Sequence, residues 1–162
     1  MSDRVWLMKS EPDVFSFTDL QTCGRTWWDG VRNYMARNYM MKDMKVGDWV
    51  LFYHSNAEPS GVAGLAIVTS AARPDESSFD KKSEYYDAKS TRENPRWQCV
   101  EVGFLNSLPR LVSLAEIKGN KRLAKMILLQ NSRLSVQPVL PAEAREILRM
   151  AGVTGVEIGA HP

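Results

Sequence analysis

Two periods run through the hydrophobic positions of this chain. Residues 4–9, RVWLMK, are mostly apolar and stop at Ser10-Glu-Pro. They predict a short buried strand, because Pro12 cannot donate to a ladder. Ser16-Phe-Thr-Asp-Leu-Gln predicts a short helix with Ser16 as N-cap, Asp19 at the third position and Gly24 as the stop. From Asn33 to Met44, apolar residues at 35, 36, 39, 40 and 44 follow helical spacing. After a turn at Lys45-Val-Gly-Asp, DWVLFYHS (48–55) is almost continuously apolar, the signature of a strand buried on both faces. GVAGLAIVTSAA (61–72) predicts another strand, with Gly61 and Gly64 marking bulges or the close approach of another group.

Residues 74–96 lose the periodicity and are polar, which predicts a long surface excursion carrying Tyr85-Tyr86-Asp87. WQCVEVGFL (97–105) alternates and predicts a strand. SLAEIKGN (113–120) predicts a helical turn from Ser113 to Gly119, KRLAKMILL (121–129) a short helix, and residues 132–139 a short extended piece. A last helix starts with Pro141 and stops at Gly152. Unevenly spaced strands among short helices predict an α+β fold, a curved mixed sheet or small open barrel with helices packed round it. A doubly wound sheet would need regular strand–helix alternation, which is missing.

The chain has 162 residues, a length that suits one domain spanning 1–162. Net charge is only +2, so total charge does not demand a polyanion partner. Its distribution is uneven. No Asp or Glu falls between Ile117 and Ala142, where Lys118, Lys121, Arg122, Lys125 and Arg133 all lie. A second basic set is Arg25, Arg32, Arg37, Lys42 and Lys45. These are one basic face if the fold unites them, and solvated helix faces if it does not. Cys23 and Cys99 make no disulfide framework, and two histidines with two scattered cysteines make no structural metal site. There is no run resembling a signal peptide and none long enough to span a membrane. The expectation is a cytosolic protein with reduced thiols, or a nuclear one in a eukaryote, without membrane partner, metal or cofactor.

No nucleotide-loop, nucleophile-elbow or zinc-protease motif is present. His54, the only internal histidine, has no evident nucleophile beside it; it is a base, a ligand donor or a strand-end cap. Polar clusters recur where apolar strands end: Lys9-Ser10-Glu11-Pro12, Tyr53-His54-Ser55-Asn56, Ser132-Arg133 and Ser135-Val136-Gln137. Separately they read as turn and cap residues. Converged at one sheet end they would make a pocket with flat apolar walls and polar edges, suited to a planar ligand such as a nucleobase. The stretch RTWWDGVRNYMARN (25–38) has the same mixed character. Adjacent extended residues point to opposite sides, so Trp27 is expected in the core and Trp28 at the pocket, with Asp29-Gly30 turning the chain.

Seven ordered motifs resemble the EVE domain family: WLMKSEP (6–12), WWDGVRNYMARN (27–38), GDWVLFYHSN (47–56), GVAGLAIV (61–68), YYD (85–87), NPRW (94–97) and SRLSVQPV (132–139). The family commonly has Gln where this chain has Met35, a position expected on a helix face. The resemblance implies a PUA-like fold akin to the YTH and ASCH domains. It also implies binding of DNA or RNA through a modified base, modified cytosine foremost, without established catalysis. Lys9-Ser10 is similar to the first-strand motif beside the aromatic cage of YTH domains.

The pocket is then expected to be walled by Trp28 and Tyr53, with Trp97 or Tyr86 as lid and Asp29, Val31, Ser132 and Ser135 around it. Lys9, Ser10, Glu11, Asn33, His54, Ser55 and Asn56 are expected at the base edge or sugar. Arg32 and Arg133, with Arg37, Lys121, Arg122 and Lys125, are assigned to phosphates, which position without specifying. Two other readings use the same residues: an enzyme acting on a nucleotide or nucleic acid through His54 with Glu11 or Asp29, and a peptide or methyl-lysine module using the aromatic residues.

Overall fold

The computed structural model describes residues 4–158; the expected domain limits at 1 and 162 lie outside them. Six strands form one open, curved mixed sheet: β1 (Val5–Ser10), β2 (Arg25–Trp27), β3 (Trp49–His54), β4 (Gly61–Pro74), β5 (Gln98–Ser113) and β6 (Val136–Val139). Their spatial order is β2-β5-β4-β3-β1-β6. β1 and β3 are parallel; the other pairs are antiparallel.

Side chains alternate across the sheet and separate two cores. Val5 and Leu7 of β1, with Trp49, Leu51 and Tyr53 of β3, face one core. It is closed by α3 (Leu114–Lys118), α4 (Ile127–Gln130) and α5 (Pro141–Ala151). Trp6, Met8, Val50 and Phe52 face the other, under α1 (Phe17–Cys23) and α2 (Tyr34–Asn38), which runs on as a π-turn at Tyr39–Asp43. Trp6 Nε1 donates to buried Asp48 at 2.9 Å, tying the start of β3 to β1.

Helix boundaries follow local chemistry. Ser16 and Asp19 form a reciprocal capping box on α1, and Gly24 ends it at φ +84°. Ser113 and Glu116 do the same for α3, and Asn33 Oδ1 accepts from Ala36 N to start α2. α5 begins at Pro141 and stops at Gly152, φ +83°. The region expected as one helix over 121–129 is instead a 3₁₀ turn at Lys121–Leu123 followed by α4.

β5 is longer than its alternation predicted, and a bulge explains the difference. Val100, Val102 and Phe104 face the α1 and α2 core, whereas Leu105, Leu108 and Val112 pack with the α5 core. Pairing with β4 skips Leu105, from Ala66↔Phe104 to Leu65↔Asn106. One inserted residue moves every later side chain to the opposite face. The same strand thus serves both cores and bends the sheet. Gly64 lies in this bent region with the Phe17 ring seated directly upon it, leaving no room for a Cβ. Gly64→Ala should lower stability by about 2–3 kcal/mol by displacing a buried ring, read as a fall in the urea midpoint with an unchanged slope.

Candidate functional site

Parallel neighbours end at the same side. The pairing Ser10↔His54 therefore puts Lys9-Ser10-Glu11 beside Ser55-Asn56. β6 runs against β1, so its start arrives there too, and Lys9 N donates to Ser135 O at 2.9 Å. β2 leads to the same place: Trp28 N donates to Val100 O at 2.8 Å, and Gly30, φ +79°, turns the chain. Between these ends lies a cleft of about 720 Å³.

Twelve of the seventeen expected pocket residues line it: Lys9, Ser10, Glu11, Trp28, Asp29, Val31, Arg32, Ser55, Asn56, Ser132, Arg133 and Ser135. The other five do not. Tyr53 is buried in the α5 core beneath Lys9, whose ammonium lies 5.8 Å from the ring centre. Asn33 caps α2. Tyr86 is exposed outside the cleft. Trp97 is buried behind Arg32, stacked on Tyr34 at 4.9 Å, with its Nε1 donating to Asp87. His54 lies under α1, where its Nε2 accepts the Phe17 N–H at 3.0 Å; burial lowers its pKa and favours the neutral ring.

The two tryptophans are arranged differently from the expectation. Trp28 is the buried one, edge-on to Phe52 at 5.3 Å. Trp27 is half-buried and covered by the Arg73 guanidinium, 3.6 Å from its ring centre. Both border the cleft. The cause is the β2–β5 pairing, which ends at Trp27 and turns the next residue inward over Phe52. Glu84 and Tyr85 form a further wall, where the sequence pattern points to Tyr86. A Cβ at position 30 would overlap the Tyr85 ring, so Gly30 serves both the turn and this contact.

One buried carboxylate fixes that wall. Asp75 is fully buried and accepts hydrogen bonds from Gly30 N at 2.9 Å, Arg32 Nη1 at 3.0 Å, and Ser77 N and Oγ. Burial alone would push its pKa up; the bonds from Ser77, Gly30 and Arg32 outweigh it and hold the carboxyl below its ordinary value. Arg32 also donates through Nε and Nη2 to the Tyr85 carbonyl, at 3.2 and 2.7 Å. Its guanidinium is thereby committed within the site, which corrects the assignment of Arg32 to phosphate. Arg37 is committed likewise, to the Arg96 carbonyl and Asn38, over the Tyr34 ring. Lys121 and Arg122 border a separate groove with Glu146 and Arg149, and Lys125 lines neither. The expected basic face is therefore divided, and Lys9 and Arg133 are the cations left to the cleft. Lys9 Nζ donates to Ser132 O at 2.7 Å, and burial lowers its pKa.

No group of three His, Cys, Asp or Glu side chains among the described residues could hold a metal ion. The Cys99 thiol is buried, its pKa pushed up to about 12, and it does not border the cleft. Aromatic side chains of Trp27, Trp28 and Tyr85 border the cleft together with polar groups, a lining that suits a planar hydrogen-bonding molecule.

This curved mixed sheet, with a cleft at the ends of its parallel strands, is a PUA-like fold. The chain belongs to the EVE domain family, whose model matches residues 4–150. It is 38% identical to human thymocyte nuclear protein 1 over 164 aligned residues, covering 90% of this chain and 72% of that one. The solved structure of human THYN1 protein in complex with 5-methylcytosine-containing DNA aligns with TM-score 0.88 at 37% identity, covering 94% and 99% of the two chains. A YTH domain from Zygosaccharomyces rouxii, solved with N6-methyladenosine RNA, shares the fold at TM-score 0.56 and 16% identity, covering 97% of this chain and 89% of that one.

Arg32→Ala should cost about 2–4 kcal/mol by stranding the Asp75 carboxylate, and should speed proteolysis between residues 76 and 96. Arg32→Lys should restore little, since one ammonium cannot replace the fork. Because the folded-state pKa of Asp75 is depressed, its stabilising contribution is complete above about pH 4 and is lost as pH falls through the folded value. The stability gap between wild type and Asp75→Asn should therefore shrink on acidification in parallel denaturation curves.

Proposed function

We propose that this chain is a nucleic-acid reader that takes one modified base into the cleft, with 5-methylcytosine in DNA the first candidate. The carrying observation is the cleft itself: aromatic walls from Trp27, Trp28 and Tyr85, with Lys9, Asp29 and Ser55 at its edges, in a chain similar to a protein solved with DNA of that kind. A base drawn from its stack gains stacking on such walls, about 1–3 kcal/mol. A methyl group adds about 0.8 kcal/mol of burial, roughly fourfold in affinity. Arg133, exposed at the rim, meets the phosphate backbone.

His54 favours a binding module over an enzyme. The lone pair that a general base needs already accepts the Phe17 N–H.

Titration of matched duplexes, one central 5-methylcytosine against cytosine, tests the proposal. The wild type should prefer the methylated duplex by about fourfold, and Trp27→Ala should abolish that preference while the fold survives, since Trp27 lies outside both buried cores. Equal affinity for the two duplexes, indifferent to Trp27→Ala, would overturn it. Arg133→Ala should weaken both duplexes alike and reduce the salt slope by about one.

A further inference from the structure

The cleft is lined by three carboxylates, Glu11, Asp29 and Glu84. Glu11 accepts a hydrogen bond from Asn56 Nδ2 at 2.5 Å. Glu84 lies beside Tyr85 in the cleft wall. Burial raises the pKa of the Tyr85 phenol, and Glu84, Asp29 and Glu11 raise it further. Asp29 differs from Glu11. Its side chain makes no hydrogen bond to another described residue, and it borders the cleft. Burial raises its pKa, nearby Asp75 adds to this, and Arg32 opposes it.

A carboxylate offers lone pairs and no proton. Any ligand that covers Asp29 must bring a donor, or the group loses its water without replacement. Lys9 presents the opposite demand. Its ammonium has three protons, of which the Ser132 carbonyl takes one, and burial rather than any acid governs its pKa. A ligand edge that meets both groups carries a donor at one end and an acceptor at the other. Cytosine has that edge, with its exocyclic amino group followed by N3 and O2. Thymine has the same shape and the same methyl group but presents a carbonyl where cytosine presents the amine.

We propose that Asp29 determines the specificity of the cleft by accepting a hydrogen bond from an exocyclic amino group, so that amino-bearing bases are admitted and their keto counterparts refused. This rests on the reading of the cleft as a base pocket. The comparison that tests it uses three duplexes differing at one position opposite guanine: 5-methylcytosine, thymine and cytosine. The thymine–guanine mismatch opens more easily than a matched pair, so opening favours thymine and a preference for 5-methylcytosine comes from the cleft.

The wild type should bind the 5-methylcytosine duplex about tenfold more tightly than the thymine duplex, the worth of one charged hydrogen bond and its unmet counterpart. Asp29→Asn, whose amide donates as well as accepts, should bring the two within about twofold, by losing 5-methylcytosine affinity and gaining thymine affinity. Equal binding of both duplexes by the wild type, or an unchanged ratio in Asp29→Asn, overturns the role of Asp29. The two failures are separable. If 5-methylcytosine is preferred to cytosine yet thymine binds equally well, only the amino-group inference falls. If 5-methylcytosine and cytosine are indistinguishable and Trp27→Ala changes nothing, the base pocket itself falls.

Discussion

Parallel pairing of β1 with β3 is the constraint on which the rest of this structure depends. Two parallel neighbours cannot be joined by a tight turn; the chain must leave one end of the sheet and return to the other. Residues 11–48 make that crossing, and on the way they form α1, the edge strand β2, the tryptophan pair and α2. The connection begins where β1 ends, so the cleft gathers there. Register does the rest: Lys9↔Tyr53 and Ser10↔His54 fix which polar side chains emerge together and on which face.

A second layer depends on one buried charge. Asp75 stands where β4 gives way to the long excursion, and it binds Gly30 and Arg32 from the crossing connection. Two segments far apart in sequence are thereby held at the same point. Removing either member of a buried pair is costly because the other remains desolvated. Around Arg32 the rings of Trp97 and Tyr85 lie at 5.3 and 5.8 Å from the guanidinium, and Tyr34 stacks beyond Trp97. The wall of the cleft is an ordered stack although its sequence reads as an irregular loop.

Local rules were legible in the sequence, and tertiary ones less so. Ser16, Ser113, Gly24 and Gly152 act where their side chains or dihedrals said they would, since capping is settled within four residues, whereas Asn33, expected at the pocket, caps α2. The convergence of polar strand ends was also readable, because it needs only that neighbouring strands end together. The full length of β5 was not: the inserted Leu105 breaks the alternation by which a strand is detected. Nor was the choice between Trp27 and Trp28, or between Tyr85 and Tyr86. In each pair the two residues are chemically alike, and a partner distant in sequence decides, Phe52 for the first and Gly30 for the second. The division of the basic residues followed from their partners too, since Arg32 and Arg37 are used inside the fold.

The grip on the cleft wall has a consequence for how this fold diversifies. Arg32 holds the excursion through the backbone carbonyl of residue 85, a group every amino acid carries, and through Asp75 at the excursion's start. Neither contact reads the side chains that face the cleft. Residue 84 is therefore open to replacement while the frame that holds it stays the same, whereas the Tyr85 ring is itself packed against Gly30 and Arg32. A lineage can re-line one side of the cavity by substitution alone, with no strand, helix or register altered, and a single arginine makes that freedom compatible with a fixed scaffold.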